Sequence, residues 1–347
     1  MKPLTVIVSA VGAPGTAALL HALRANGERE VRLVGTDMSE RSIGRHRCDA
    51  FHLVPAGSDP AFPDVIREIA DREGAAAILP QSSFDLEGLA AATDRFDGIA
   101  VLVSSPDAIH RSNDKAETYS FLHRLGLPAP QFRRVQGAAA VEAAALDLGY
   151  PDRPVCFKPV FSSGSRGFRI LDPTVDRADQ LLRERPGSVS MLLEDAIEIL
   201  ASVDDQTDLL VMELAKGPER TIDGIANGAE IVLGHPKTRE AMRAGLAMYF
   251  ETLDDPDLME LANTIVAELA IEHFFNIQLV GDYVIEINPR ISTIVYQEDL
   301  NLPYLGVKRA IGEISDEELR ALRPRIRPGH TALRYFDQLE FDRVPKR

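Results

Sequence analysis

The stretch Asn276-Ile277-Gln278-Leu279-Val280-Gly281-Asp282-Tyr283-Val284-Ile285-Glu286-Ile287-Asn288-Pro289-Arg290 decides how the chain is read. Apolar runs flank Gly281-Asp282, a turn pair, and this pattern predicts a β-hairpin. Strand side chains alternate with a period of two. Val284, Glu286, Asn288 and Arg290 are therefore expected on one face, and Tyr283, Ile285, Ile287 and Pro289 on the other. A carboxylate, an amide oxygen and a guanidinium on one strand face suit a magnesium–nucleotide site, with a phosphate to receive the arginine. Taken alone, the pattern equally describes an amphipathic edge strand with a solvated polar face. Gln278 reaches the polar face only under one condition. A plain Gly281-Asp282 turn pairs it with Ile285, whereas a three-residue loop or a bulge pairs it with Glu286. The loop or bulge is expected.

At 347 residues the chain has room for two or three domains with real cores. Its net charge of −15 argues against a nucleic-acid-binding surface and against an anionic membrane as partner. A phosphate ligand remains compatible, since it needs only a local cluster of cations and amides. Cys48 and Cys156 provide neither a disulfide framework nor a zinc site, so buried thiols in a reducing cytoplasm are expected. No apolar run approaches the ~18–20 residues of a membrane span, and the run Leu4 to Val11 has no signal-peptide character.

In the N-terminal third, strands at Leu4–Ser9, Val31–Thr36, Phe51–Val54, Ala77–Leu79 and Ile99–Ser104 alternate with helices. That order implies a parallel sheet with ligand groups at the strand ends. Gly12 and Gly15 followed by Asp37 only partly match a dinucleotide fingerprint, because the third glycine is missing. Pro80-Gln81-Ser82-Ser83-Phe84-Asp85 is polar at a strand end, where contact with a second substrate and a helix N-cap by Ser82 or Ser83 are the two readings.

Lys115 opens a helix that stops at Gly126. Lys158 lies inside the apolar strand Val155-Cys156-Phe157-Lys158-Pro159-Val160, so its ammonium must find an anion or project from an edge. Ser162-Ser163-Gly164-Ser165-Arg166-Gly167 follows directly and suits a loop whose N–H groups wrap phosphate oxygens. No Gly-Lys-Ser/Thr follows, so it is not a Walker A loop. Further on, alternation broken by Asn227-Gly228 predicts a hairpin, continued by a basic loop with His235, Lys237, Arg239 and Arg243. The helix Leu258–Leu269 is expected to pack in the core, and the acidic tract Glu194–Asp208 to lie on the surface.

In this order the residues resemble an ATP-grasp enzyme: Lys115, Lys158 with the loop 162–167, Val211-Met212-Glu213-Leu214 with Glu219, then Glu286 and Asn288. The string Glu286-Ile287-Asn288-Pro289-Arg290 is similar to the carbamoyl-phosphate-synthetase-like branch. So are Leu302-Pro303-Tyr304-Leu305 and a late strand Leu333-Arg334-Tyr335-Phe336. The resemblance implies an α/β and α+β chain, with an N-terminal parallel-sheet (pre-ATP-grasp) domain over 1–112. A two-lobed ATP-grasp fold would follow: a central region with the phosphate-loop lobe over 113–212, and a C-terminal lobe with the metal site over 213–347.

It further implies that Lys115 and Lys158 hold the α- and β-phosphates of ATP, and that Ser162, Ser163, Gly164, Ser165, Arg166 and Gly167 close over the β- and γ-phosphates. Glu213, Leu214 and Ala215 would line the adenine, and Glu219 the adenine or ribose. Glu286 and Asn288, with Gln278 where many such enzymes carry a second acidic ligand, would bind two Mg²⁺ or Mn²⁺ ions. Arg290, Lys237 and Arg239 would act on the phosphate or substrate-carboxylate side. The implied activity is an ATP-dependent carboxylate–amine ligase working through an acyl phosphate on small, amino-acid-like molecules, with a homodimer as the default assembly. Carbamoyl-phosphate-type activation of bicarbonate, a non-catalytic nucleotide-binding module and a dehydrogenase are the rival readings.

Overall fold

The computed structural model describes residues 2–161, 166–184, 188–203, 207–243, 246–292 and 297–341. The chain begins β1 (Leu4–Val8), α1 (Thr16–Arg24), β2 (Val31–Asp37), α2 (Gly44–Arg47), β3 (Ala50–Leu53), α3 (Phe62–Glu73), β4 (Ala77–Leu79), α4 (Ser83–Ala90) and β5 (Ala100–Val101). These strands form one parallel sheet in the order β3-β2-β1-β4-β5. Its central strands are largely apolar and buried because both faces are covered. The Asp37 carboxylate accepts from the N–H groups of Gly12 (2.7 Å) and Ser39 (2.9 Å). It holds the turn after β1, a structural use of the residue that a dinucleotide fold would need for ribose.

Next come α5 (Pro106–Asn113), α6 (Lys115–Arg124), β6 (Phe132–Val135), α7 (Ala138–Asp147), β7 (Val155–Pro159), β8 (Arg169–Leu171), α8 (Arg177–Leu182), β9 (Ser190–Met191), α9 (Leu193–Ala201) and β10 (Leu209–Glu213). Their strands make a second sheet, β6-β10-β7-β8-β9. The first part of the acidic tract is α9, which lies on the surface as expected and docks through Leu193 and Ala196 against α7. The remainder is β11 (Glu219–Asn227), β12 (Ile231–Arg239), β13 (Tyr249–Glu251), α10 (Pro256–Leu269), β14 (Glu272–Val280), β15 (Tyr283–Asn288), α11 (Leu302–Ala310), α12 (Asp316–Ala321) and β16 (Thr331–Leu333). A third sheet, β12-β11-β14-β15, is antiparallel throughout. The expected late strand ends at Leu333, paired with β13, and Tyr335 and Phe336 beyond it are exposed.

One core is shared by the second and third sheets. Cys156, Leu210 and Met212 meet Ile222, Ile277, Val284 and Ile287, with α6 and α10 closing the layer. On the other side, Ile225, Leu233 and Phe274 pack with α11 against Leu4, Val6 and Val8 of the N-terminal sheet. Ser104 adds a polar tie, its hydroxyl bonding both the carbonyl (3.1 Å) and the amide (3.0 Å) of Glu272.

The β14–β15 turn is a tight one, with Val280 opposite Tyr283, and the register then shifts so that Gln278 opposes Glu286. Ile285 is thus the extra residue of a bulge, as the pairing of Gln278 required. The bulge also corrects the expected faces. Val284, placed by strict alternation with Glu286, instead joins Ile287 in the core. Gly281 makes the turn with φ +56°, and a Cβ there would stand 2.4 Å from the Lys216 carbonyl oxygen. Its N–H donates to Pro218 (3.0 Å), so the chain leaving β10 is docked on the hairpin tip. Gly281→Ala is therefore expected to lower stability by about 1–3 kcal/mol. A thermal unfolding midpoint equal to the wild type's would refute this.

Candidate active site

The third sheet carries two polar rows across one face. Lys237, Thr221, Gln278 and Glu286 are successive cross-strand partners in the first row. His235, Asp223, Asn276 and Asn288 are partners in the second. Because β11, β12, β14 and β15 each place every second residue on this face, the four strands align their polar groups without any loop contributing. The segment with His235, Lys237 and Arg239 was expected to be a loop, yet it is the edge strand β12. Pro236 fits there because an edge strand needs no second ladder of N–H bonds. His235 and Lys237 are buried, and Arg239 is bonded to Gln278 Oε1 and lies 3.4 Å from Glu219. Arg243 lies apart, its guanidinium 4.6 Å over the Phe336 ring.

The two lysines approach Glu286 from α6 and β7. Burial and mutual repulsion bring the Lys115 ammonium down to about 8, while Glu286 and Asp114 oppose the shift. Lys158 is also lowered by burial, again with Glu286 pulling it back up. Two desolvated ammonium groups whose charge the neighbouring Glu286 and Asp114 only partly offset are suited to an incoming polyanion. Tyr119, fully buried on α6, joins the two sides. Its hydroxyl accepts from Lys158 Nζ at 3.1 Å and donates to the carbonyl of Ile285, the bulge residue, at 2.9 Å. Sequence reading missed Tyr119, because a tyrosine on the inner side of an amphipathic helix carries no signal of a polar partner 166 residues away.

A cleft opens between α4, α5, α6 and β15. It is lined by Ser83, Phe84 and Glu87 on one side and by Lys115, Glu286, Asn288 and Arg290 on the other. The strand end after β4 thus faces the polar strand. Ser82 occupies the N-cap position of α4 without a side-chain capping bond. Arg290 donates to Asn288 Oδ1 at 3.4 Å and to the Ile291 carbonyl at 3.2 Å. Glu286, the amide oxygen of Asn288 and that of Gln278 are all hard oxygen donors, so the set fits Mg²⁺ or Mn²⁺. The Gln278 oxygen already accepts from Arg239, which leaves it one lone pair. Among the described residues no group of three or more His, Cys, Asp or Glu could hold a metal, so a divalent ion here would lean on amide and phosphate oxygens.

Glu213, Leu214 and Ala215 lie at the C-terminal end of β10, an interior strand of the second sheet. Glu213 binds the Gln131 N–H through its carboxylate (3.0 Å), and its own N–H donates to the Gln131 carbonyl (3.0 Å). Both groups of Glu213 serve the sheet, so any edge reading of a base falls to Leu214 and Ala215, which follow it outside the strand. Glu219 begins β11 opposite Arg239 and Val280. Ser162, Ser163, Gly164 and Ser165 lie outside the described residues, while Arg166 is exposed and Gly167 turns with φ +72°. At the far end of the polar rows, Arg334 is lowered by burial and by the nearby Arg239, so two guanidiniums share that end.

The part of the chain that holds the third sheet matches an ATP-grasp family. Residues 205–330 match the family described as ATP-grasp in the biosynthetic pathway with Ter operon. The chain is also homologous to the large chain of carbamoyl phosphate synthase. It is 30% identical to that of Corynebacterium glutamicum over 209 residues, covering 57% of this chain and 17% of that protein. With that of Methanothermobacter thermautotrophicus it shares 25% over 255 residues, 67% of this chain and 22% of the other. The chain thus spans about a fifth of the relatives it matches.

Among solved structures, the biotin carboxylase–β-γ-ATP complex from Campylobacter jejuni superposes with a TM-score of 0.62 at 18% identity. That match covers 90% of this chain and 72% of the other. The L-amino acid ligase from Bacillus licheniformis gives 0.59 at 16%, covering 95% and 78%. N5-carboxyaminoimidazole synthetase from Staphylococcus aureus with ADP gives 0.59 at 14%, covering 83% and 70%. No helix among the described residues is long and apolar enough to cross a membrane.

The Lys115 shift predicts how ADP binding depends on pH. The ammonium is charged below about 8 and lost above it, so ADP affinity should fall as pH rises from 7 to 9.5. Titration calorimetry with Lys115→Met should show weaker binding and a flatter profile. An unchanged profile in that variant would remove Lys115 from the phosphate site.

Proposed function

We propose that the chain is an ATP-dependent ligase joining a small, amino-acid-like carboxylate to an amine, with ADP and phosphate as products. The observation that carries this reading is the meeting of half-buried Lys115 and Lys158 with Glu286 on the polar face of β15. The ATP-grasp domain, and relatives that include carboxylases and an amino acid ligase, support the general class. With units at 1–112, 113–212 and 213–347, ATP would lie between the second and third.

Lys115 and Lys158 would neutralise the α- and β-phosphates, and the segment 162–167 would cover the β- and γ-phosphates. Leu214 and Ala215, with Glu213 and Glu219 nearby, would border the adenosine. Two Mg²⁺ or Mn²⁺ ions held by Glu286, Asn288 and Gln278 would supply charge neutralisation at the β- and γ-phosphates. A substrate carboxylate oxygen attacks the γ-phosphorus, the bond to ADP breaks, and an acyl phosphate forms. The amine nitrogen then attacks the carbonyl carbon, a tetrahedral species follows, and phosphate leaves as the amine loses its proton. Arg290 would hold the acyl phosphate or the developing oxyanion, a type of contact whose removal costs about 2.7–4 kcal/mol in the barrier. Arg239, with Arg334 beside it, would receive the substrate carboxylate, and Lys237, buried against Asp223, would lend its charge from behind.

Bicarbonate activation is the second reading, favoured by the homology to carbamoyl phosphate synthase. A homodimer is the default assembly; a biotin carboxylase domain of the same fold is described as a dimer.

The test is ADP release with pools of amino acids and amines. Release that needs both an acid and an amine supports the ligase, and release with bicarbonate alone overturns it in favour of the second reading. Glu286→Ala should abolish release while leaving the circular dichroism spectrum unchanged. Turnover at the wild-type rate would refute its assignment.

A further inference from the structure

Beneath Gln278 and Asn288 lies a buried chain of polar groups whose donors and acceptors allow one arrangement. It begins at Lys237, whose ammonium stands 3.9 Å from Asp223 Oδ2, both groups being buried. Burial pushes the Asp223 carboxyl up, while Lys237, Asn276 and Ser292 hold it down. An ionised carboxylate only accepts hydrogen bonds. Asn276 must therefore turn its amide nitrogen toward Asp223, and Nδ2 donates to Asp223 Oδ1 at 2.9 Å and to Thr221 Oγ1 at 2.5 Å.

The consequence passes one strand further. With its nitrogen committed, Asn276 can offer Gln278 and Asn288 only its oxygen. Both answer with their amide nitrogens, Gln278 Nε2 at 2.8 Å and Asn288 Nδ2 at 3.3 Å. An amide that points its nitrogen inward points its oxygen outward. Gln278 Oε1 then faces Arg239, and Asn288 Oδ1 faces the Arg290 side of the cleft. The guanidiniums of Arg239 and Arg290 favour this orientation from the outer side, and the Asn276 oxygen enforces it from within, where the two ends of an amide have nearly the same shape.

We propose that Asn276, oriented by the Lys237–Asp223 pair, is a positioning residue that fixes the oxygens of Gln278 and Asn288 toward a bound divalent cation. This rests on the preceding reading of those two residues as metal ligands. Asn276 touches neither the metal nor substrate; it acts through the two amides. Asp223→Asn tests the polarity without changing shape. Beside the Lys237 ammonium, the new amide keeps its oxygen toward the lysine and turns its nitrogen to Asn276. Asn276 must then reverse and drive the Gln278 and Asn288 oxygens inward. In the exchange Asp223→Asn with Asn276→Asp, the carboxylate at 276 accepts from Gln278, Asn288, Thr221 and the new amide at 223. That arrangement restores the outward oxygens even though Asp223 is gone.

The measurement is Mn²⁺ binding to the full chain with saturating ADP, followed by the electron paramagnetic resonance signal of free Mn²⁺. ADP binding without metal and the thermal midpoint are recorded beside it. Asp223→Asn should weaken Mn²⁺ binding about 10–100-fold, the range for loss of a partner that orients a ligand. Metal-free ADP binding should stay within about threefold of wild type, and the exchange should bring Mn²⁺ affinity back to within about threefold. Wild-type affinity in Asp223→Asn, or an exchange variant as weak as the single one, overturns the proposal. If the wild type takes up no Mn²⁺ with ADP, the ligand assignment itself fails.

Discussion

The register of β15 against β14 is the constraint on which the site depends. With the tight Gly281 turn and no bulge, Gln278 would face Ile285, and Glu286 would face Ile277 in the core. A carboxylate buried there without a partner would cost several kcal/mol. The bulge at Ile285 removes that conflict by moving Glu286 and Asn288 to the polar face while Val284 and Ile287 stay in the core. A bulge leaves backbone groups outside the ladder, and the Tyr119 hydroxyl takes up the Ile285 carbonyl. Burial of the tyrosine and the direction of the polar strand are thus one requirement seen from two sides.

Around that strand, charge is arranged by burial more than by number. The chain is acidic overall, yet three desolvated lysines gather beside the third sheet: Lys115 and Lys158 near Glu286, and Lys237 beside Asp223. Each loses hydration that its neighbours only partly replace. A surface lysine pair would relax into solvent and bind a phosphate weakly; a buried pair cannot relax, which makes the empty state unfavourable relative to the liganded one. Negative net charge on the outside and cationic groups on the inside are therefore compatible properties.

Much of this was legible because strands announce themselves by period. The five-stranded parallel sheet, the hairpins at Asn227 and Gly281, and the core helix α10 follow from runs and alternation that are local in sequence. The basic segment after Gly234 was hidden by Pro236, which reads as a breaker unless the strand is known to be an edge. Val284 was misplaced because strict alternation has no room for a bulge, although two core residues three apart, Val284 and Ile287, are themselves the trace of one. The network of Asp223, Asn276 and Thr221 was not read at all. Asn276 is more than fifty residues from the other two and meets them only through cross-strand pairing. Thr221 and Asp223, two apart within an apolar strand, were the available signal.

The same pairing explains why orientation, rather than identity alone, matters in the polar rows. Glu286 presents acceptors in every rotamer, so its chemistry survives a rotation about its last bond. Gln278 and Asn288 do not share that tolerance, because half of their orientations present a donor where a cation would sit. A site that uses amides as ligands therefore needs a polar foundation that a site made of carboxylates could omit. In this sheet the foundation occupies the same rows as the ligands, one strand inward, and is sealed from solvent by Ile225 and Phe274 in the apolar row that follows.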